Sequence, residues 1–368
     1  MKKVVLALSF LALHAACQHL AVARQQARAD DPARTFPPIS ISIASMYQEW
    51  TQDGRSVREL SIPISARMQP LPHLNVLVGL SQASAEGDGF EQVSGLTDLQ
   101  VAFEYLLRLK TVQLRANLGL NVPTGKSRLS TPAYETTYQM GQSQYNFLVP
   151  HFSQGSSIAP GLAGVLPITE TLALGIGFTF HLRGSFEPVD GLLDAYDWGN
   201  ELLFTAGAEW QASPTLAFSA DALYTRYEAD QIGETTVYEA GRRVMVQAQL
   251  QQYLGRHTVG VAVRYRDVGV NQAFVSGALG PEEVRAFPGY ARLSGSYGVR
   301  LTASLRTTIH VEGTRYEETL DLEPLTVYAA GLAPEISLSP AITVPLFVRY
   351  SFGDLDGIEA SLGLSAIF

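Results

Sequence analysis

The sequence is short of charge and of long apolar runs. Charged residues make up 17% of its 368 residues, well below the roughly 25% of an ordinary soluble protein. Beyond residue 23 no apolar run reaches the ~18 residues of a membrane helix, which excludes a helical membrane protein. Hydrophobic residues still reach 46% and the mean hydropathy is +0.07, so the chain is not disordered. A large soluble β protein spreads its hydrophobicity this way, and so does a membrane barrel.

Positive charge is scarce, and nearly all of it is arginine. The net charge is −9, and lysine occurs only at Lys2, Lys3, Lys110 and Lys126. Because no basic run is present to neutralise phosphates, the sequence excludes a general nucleic-acid binder. Arginine forks are useful inside a polar lumen, where one guanidinium bonds several neighbours.

The sequence contains one cysteine, Cys17, and it lies within a predicted export signal. Residues 1–23 predict a signal peptide, with Lys2 and Lys3 before an apolar core and an Ala-Val-Ala cleavage site at residues 21–23. Cys17 lies within it, so the predicted mature chain has no disulfide, thiol nucleophile or thiolate metal site. Lipidation of Cys17 stays open as an alternative. Residues 24–38 are polar, then proline-rich, and are predicted to be a flexible periplasmic lead-in.

From Ile39 onward the chain alternates with a period of two. Apolar residues at even positions of 172–182 face small or polar ones at odd positions, which predicts an extended strand with two unlike faces. Short turns alternate with longer polar segments, as in membrane barrels. We therefore predict an all-β fold, an antiparallel transmembrane β-barrel of about 16 strands over residues 39–368, with twelve or fourteen as alternatives. The predicted long loops are 83–94, 125–150, 186–197, 229–237, 271–287 and 317–323.

The last strand resembles the C-terminal strand of bacterial outer-membrane barrels. Residues 358–368 alternate apolar and polar, and the chain ends on the aromatic Phe368. The resemblance implies that Phe368 is part of the signal that the barrel-insertion machinery recognises. Together with the export signal, this predicts a bacterial outer-membrane location among lipid and lipopolysaccharide.

Charged and histidine residues fall on the face opposite the apolar one. On the lipid face an arginine near the midplane would cost about 2–4 kcal/mol, so these residues are predicted to face the lumen. There they can pair across strands and stiffen the wall, or line water and select solutes. The candidates are Arg115, Arg183, His181, Glu209, Asp221, Arg243, Arg264, Arg292, Arg306, His310, Glu312 and Arg349.

The longest loop, 125–150, is the preferred gate or constriction. It has few charges and carries Tyr134, Tyr138, Tyr145 and Phe147, so folding inward would offer aromatic contacts to an apolar solute. An outer cap or a mobile loop is the alternative. Other aromatics fall toward strand ends and are predicted to form interfacial girdles, namely Tyr47, Trp50, Trp198, Trp210, Tyr224 and Tyr265.

Two short motifs carry a family resemblance. Gly95-Leu96-Thr97-Asp98-Leu99 is followed by a strand, a turn and Pro123-Thr124-Gly125. This resembles the GLGDL and PTG pattern of an outer-membrane family associated with meta-pathway phenol degradation, over roughly residues 75–368. The resemblance implies a transporter of small hydrophobic or aromatic compounds. The tripeptide alone also fits a strand that simply ends in a turn.

Two other functions stay open. The barrel can be structural or adhesive, with its loops as the interaction surface. It can also be an outer-membrane lipid hydrolase, for which His151-Phe152-Ser153 is the sole His-x-Ser spacing, although no nucleophile motif accompanies it. We predict a passive channel for a small-molecule solute rather than an enzyme. No cofactor is predicted, and the sequence offers no metal site because no two mature histidines lie close together.

Overall fold

The computed structural model describes residues 39–191, 194–275, 278–283, 285–319 and 323–368. The predicted signal peptide, 1–23, and lead-in, 24–38, lie outside them. The strands are β1 (Ile39–Gln52), β2 (Arg55–Leu71), β3 (Leu74–Gly87), β4 (Phe90–Leu96), β5 (Leu99–Arg108), β6 (Gln113–Val122), β7 (Ser157–Pro167), β8 (Leu172–Arg183), β9 (Tyr196–Asp197), β10 (Glu201–Ser213), β11 (Leu216–Tyr227), β12 (Ala229–Ile232), β13 (Thr235–Glu239), β14 (Arg243–Leu254), β15 (His257–Val268), β16 (Gln272–Val275), β17 (Ala278–Pro281), β18 (Tyr290–Arg300), β19 (Leu305–Tyr316), β20 (Leu325–Ser339), β21 (Ile342–Gly353) and β22 (Asp356–Ile367).

The long strands form a closed antiparallel ring. Each pairs with its neighbour in the chain order of wall strands, and β22 pairs with β1 from Ser40↔Ile367 to Thr51↔Asp356. The strands β4 and β5 both pair with β3, at Gln82↔Leu96 and Gly79↔Gln100, so together they form one interrupted wall strand. The ring therefore has 16 strands, and the predicted transmembrane barrel is confirmed.

The outer face of the barrel is apolar, and the inner face of the same strands is not. On β8, Leu174, Ile176 and Phe178 are 43%, 73% and 48% exposed, while Gly175 and Gly177 between them face inward. A closed barrel pairs its backbone groups between strands and has no open edge, which is why it can sit in hydrocarbon. The apolar positions of the two-residue alternation therefore face outward, and the small or polar positions face the lumen.

The two ends of the barrel differ. Seven tight turns lie at the end where Phe368 N–H donates to the Ile39 carbonyl at 2.8 Å. They join β2 to β3, β5 to β6, β7 to β8, β10 to β11, β14 to β15, β18 to β19 and β20 to β21. The opposite end, the outer end, carries connections of very different length. The predicted long loop 83–94 is wrong, because β3 runs to Gly87 and β4 starts at Phe90. Its polar residues lie on strands that continue past the apolar belt.

The remaining five strands form a second, small sheet at the outer end. Its order is β17-β16-β13-β12-β9, and it is built from the predicted loops 186–197, 229–237 and 271–287. Trp198 is buried in a cluster with Tyr238 of β13 and Ala273 of β16, and its ring stacks on Phe186 at 5.7 Å. The girdle prediction for Trp198 is therefore wrong, since that ring packs under loops rather than facing lipid.

One helix, α1 (Thr131–Met140), occurs among the residues that the structure describes. The Ser130 side chain accepts a hydrogen bond from Ala133 N–H at its start, Pro132 occupies its first turn, and Gly141 caps its end, which are favoured cap residues. Within the described ranges no helix is long and apolar enough to cross a membrane.

Candidate functional site

The connection between β6 and β7 folds into the barrel. We call residues 123–156 the constriction loop. Its helix α1 packs on β4, where Thr136 Oγ1 donates to the Glu91 carbonyl at 2.8 Å and Ser130 Oγ donates to the Glu91 carboxylate at 3.0 Å. The loop thus starts against the interrupted wall strand.

The far part of the constriction loop binds β1 and β2. Gln48 makes a hydrogen bond in each direction, accepting from Leu148 N–H at 2.7 Å and donating to the Asn146 carbonyl at 3.1 Å. The buried Glu59 carboxylate accepts Val149 N–H at 3.2 Å through each oxygen. These are backbone contacts, so they depend on the path of the loop more than on its side chains.

An apolar cluster shows how far the loop extends across the lumen. In the ring of sixteen, β18 follows β4 and β5 by eight places and therefore stands opposite them. One contiguous cluster contains residues of the loop, of β1 to β3, of β18 to β20 and of the β21–β22 turn: Met140, Tyr145, Phe147, Trp50, Val57, Ala85, Tyr290, Tyr316, Leu325, Val327 and Leu355. The loop therefore shares one apolar cluster with residues from the side of the lumen opposite β4 and β5. Trp50 is 2% exposed within this cluster, so its assignment to a lipid-facing girdle is wrong.

The four aromatic residues predicted to form the gate lie in the constriction loop, and none of them is charged at neutral pH. Tyr145 and Phe147 are buried in the cluster, with ring centroids 6.0 Å apart, and Tyr145 Oη donates to Gln52 at 3.1 Å. Burial raises the pKa of Tyr134 to about 12 and also raises the pKa of Tyr138. The loop therefore presents uncharged phenols at neutral pH, and their role as a gate stays a prediction.

The contacts of His151 and Ser153 do not favour the hydrolase alternative. Burial lowers the pKa of His151 to about 4, and no carboxylate contributes to that shift. Ser153 Oγ accepts from Gly155 N–H at 3.4 Å. A hydrolytic triad needs an imidazole that is oriented by an acidic group, and His151 lies instead against Gly141 inside the loop.

Below the constriction loop lies a cavity of about 720 Å³. Part of its wall, on β3, β5 to β8 and β10, consists of glycines and alanines, which lie among polar residues such as Arg115 and Glu209. We call this the small-residue wall: Gly79, Ala102, Gly119, Ala159, Ala163, Gly175, Gly177 and Gly207. Since these residues project little or no side chain, the open volume follows from their size.

The upper end of the cavity carries a polar chain across three strands. His181 Nε2 lies 2.9 Å from Ser157 Oγ, and His181 Nδ1 lies 3.3 Å from Glu201. Glu201 is also paired with Arg183, whose guanidinium lies 5.4 Å from the Trp198 ring centroid. Because Glu201 is shared with a guanidinium, the group forms a cross-strand polar ladder. Three of its residues, Ser157, His181 and Glu201, lie on the cavity wall.

Beside this ladder the cavity has an apolar patch. Leu203, Leu223 and Met245 lie on β10, β11 and β14, face the lumen and pack together, each less than 8% exposed. Inward positions of a wide barrel are usually polar. Three adjacent apolar side chains at such positions therefore form a surface suited to an apolar solute.

On the opposite side the lumen is lined by arginines, which we call the arginine wall: Arg243, Arg264, Arg266, Arg292 and Arg349. Arg349 lies 2.7 Å from Glu359 and 3.7 Å from Glu312, and Arg292 lies 3.7 Å from Glu312. Arg266 lies 4.4 Å from the Tyr290 ring centroid. This wall is filled by ion pairs and cation–π contacts.

The other predicted lumen residues divide between these regions. Arg115, Glu209 and Asp221 lie on the cavity wall, and Arg115 is 3.8 Å from Glu104. Arg306 and His310 are exposed on β19, on the face that carries Glu312. Their part in solute selection stays a prediction. Among the described residues no three histidine, cysteine or acidic side chains come together as a metal site.

Four residues of this region were missed by sequence reasoning: Gln48, Glu59, Asp98 and Arg266. Glu59 and Arg266 each occupy a polar position in an alternating strand, and that signal was available. Asp98 stood inside the motif of the family resemblance without an assigned role. Gln48 gave no signal, because its partner is a backbone segment nearly 100 residues away.

No protein-family model matches the chain, and no curated protein sequence matches it. Solved outer-membrane structures are similar in fold. Pseudomonas aeruginosa OpdO has a TM-score of 0.50 at 10% identity, covering 90% of this chain and 97% of that chain. A bacterial polysaccharide outer membrane secretin has a TM-score of 0.50 at 11% identity, covering 90% and 98%. At such identity the likeness is one of fold. This chain is a bacterial outer-membrane β-barrel.

Proposed function

We propose that this barrel is an outer-membrane channel that passes small hydrophobic or aromatic compounds by passive diffusion. The constriction loop is its gate, and the charged inward residues are its lining. The surroundings are outer-membrane lipid and lipopolysaccharide, and the barrel-insertion machinery recognises the final strand through Phe368. The resemblance of the Gly-Leu-Thr-Asp-Leu and Pro-Thr-Gly motifs to the phenol-degradation family supports this solute class.

The observation that carries the proposal is the apolar patch inside the lumen. Leu203, Leu223 and Met245 line the cavity beside the small-residue wall. An apolar solute that contacts them removes its own apolar surface from water, together with the small part of each side chain that is exposed, at roughly 25 cal/mol per Å². A channel for sugars or ions gains nothing from this patch, because those solutes keep their hydration.

The test is solute uptake into liposomes that contain the purified protein, with a phenol-like aromatic compound and a sugar of similar size. Replacing Leu203, Leu223 and Met245 together by glutamine is expected to reduce aromatic flux severalfold and to leave sugar flux unchanged. Ser219→Gln is the matched control, because it adds an amide on the inner face of β11 outside the cavity lining. Equal losses for both solutes would contradict the assigned solute class.

A second candidate function rests on the small sheet at the outer end. Its five strands give the outer loops a fixed shape, as an interaction surface requires. If the wild-type protein shows no conductance in planar bilayers under any condition, including after cleavage of the constriction loop, the structural or adhesive barrel becomes the better assignment.

A further inference from the structure

One buried carboxylate lies where the wall strand is interrupted. Asp98 stands between β4 and β5 and is 6% exposed. Its backbone N–H donates to the Phe152 carbonyl at 3.1 Å rather than to a wall strand. The interruption of the wall is therefore also the attachment point of the constriction loop.

The Asp98 side chain holds both stems of that loop. Oδ1 accepts Gly125 N–H at 3.0 Å from the outgoing stem. Oδ2 accepts Gln154 N–H at 3.0 Å from the returning stem and Asn121 Nδ2 at 2.7 Å. Asn121 Nδ2 also donates to the Gly155 carbonyl at 2.6 Å. Hydrogen bonds to a carboxylate are short and strong. The Asp98 side chain therefore fixes the distance between the outgoing and the returning stem of the loop.

The neighbouring threonines replace wall bonds that the interruption removes. Thr97 N–H donates to the Ser81 carbonyl at 2.8 Å, while Thr97 Oγ1 accepts Ser81 N–H at 2.8 Å. Thr124 Oγ1 accepts Leu99 N–H at 2.9 Å. The barrel wall therefore stays bonded here by groups other than the Asp98 carboxylate.

Gly125 shows how closely the parts meet. A Cβ on this residue would overlap the Phe152 carbonyl oxygen and would also crowd the backbone of Leu96 and Thr97. Only glycine permits two stems and a wall strand to approach so closely. The glycine of Pro-Thr-Gly is thus required by the same contact that Asp98 makes.

We propose that Asp98 is a positioning residue of the channel, which clasps both stems of the constriction loop and holds it across the lumen. The Gly-Leu-Thr-Asp-Leu and Pro-Thr-Gly motifs are then two halves of one device, joined by Asp98, Gly125 and Thr124. This inference rests on the proposed channel function for its effect on flux. The effect on loop position does not depend on that function.

The test is Asp98→Asn, which keeps the shape and turns one acceptor oxygen into an NH₂ group facing backbone N–H donors. We expect a severalfold rise in single-channel conductance or open probability, with a noisier open state. Asp354→Asn is the matched control, because Asp354 also accepts a backbone N–H, from Thr326 at 2.7 Å, but this donor lies on β20 and not on the constriction loop. It is expected to behave as wild type.

A second measurement follows the loop without any flux. In a Cys17→Ser background, Ser143→Cys places a single thiol where the serine hydroxyl oxygen is shielded. Its reaction with a water-soluble maleimide is expected to be slow in the parent and severalfold faster with Asp98→Asn. A wild-type barrel that does not conduct, with labelling that responds to Asp98→Asn, would reject the channel and retain the clasp.

Folding is checked by the compact band of the unboiled barrel in SDS gels. If Asp98→Asn does not fold, Thr124→Val serves instead. It removes the acceptor for Leu99 N–H and the weaker donor to the Thr97 carbonyl at 3.3 Å, and it is expected to act in the same direction with a smaller effect. Wild-type conductance together with wild-type labelling, in either folded variant, would overturn the proposal.

Discussion

The two sides of the lumen are built from the same kind of strand, but one side leaves a cavity open and the other is filled by side chains. On the small-residue wall eight inward positions are glycine or alanine, and a cavity of about 720 Å³ remains. On the arginine wall the inward positions carry long cations that carboxylates and aromatic rings hold in place. Side-chain size at inward positions thus decides where a barrel is open, while backbone pairing is the same on both sides.

The largest effect is expected from giving the small-residue wall a large side chain. Gly175 faces the cavity, and a Cβ there would have its nearest neighbour at 3.7 Å, so Gly175→Trp can be accommodated and fills the open space. We expect conductance and aromatic uptake to be nearly abolished, as measured in planar bilayers and liposomes. Gly295→Trp is the control, because Gly295 lies on the lipid-facing side of β18 beside Val311. A block by both variants would mean that barrel distortion, and not filling, is responsible.

An intermediate effect is expected on the arginine wall, in stability rather than in flux. Arg349→Met leaves Glu359 and Glu312 without their shared partner. We expect a loss of about 3 kcal/mol, the cost of breaking a largely buried ion pair, measured by denaturant unfolding in detergent micelles. Arg58→Met removes a pair with Glu86 that is about half exposed, and its effect on the free energy of unfolding is expected to be far smaller, because solvent screens exposed pairs. Equal losses in the free energy of unfolding would show that the ion pairs of Arg349 stabilise the barrel no more than the exposed pair of Arg58.

The smallest effect is expected where the two walls meet. Arg264 donates to Gln247 at 2.9 and 2.6 Å, and Gln247 lines the cavity. Arg264→Gln removes one positive charge beside the solute path, so the reversal potential in a salt gradient is expected to shift slightly toward cation preference. Arg315→Gln, an exposed position near the outer end of β19, is expected to leave it unchanged. A larger shift from the control would place ion selection at the outer end.

Much of the wall could be predicted from the sequence, because the strand period is local. Alternation over residues 172–182 gave the lipid and lumen faces, and charged residues such as Arg292 and Glu312 were expected inside for that reason. Trp50 shows the limit. Its position near a strand end is compatible with a lipid-facing girdle, but the strand's own register turns it inward, where a distant loop covers it.

The sequence by itself determined the long strands and their two faces, since both depend on neighbours within one strand. Only the tertiary structure decided how the lumen is divided. The clasp at Asp98 joins residues 23 to 56 positions apart, and the contact of Gln48 with Leu148 spans 100. Contacts across such distances depend on ring closure and loop path, which leave no periodic pattern. The contacts of the constriction loop, the clasp and the position of the cavity therefore became visible only when the strands were assembled.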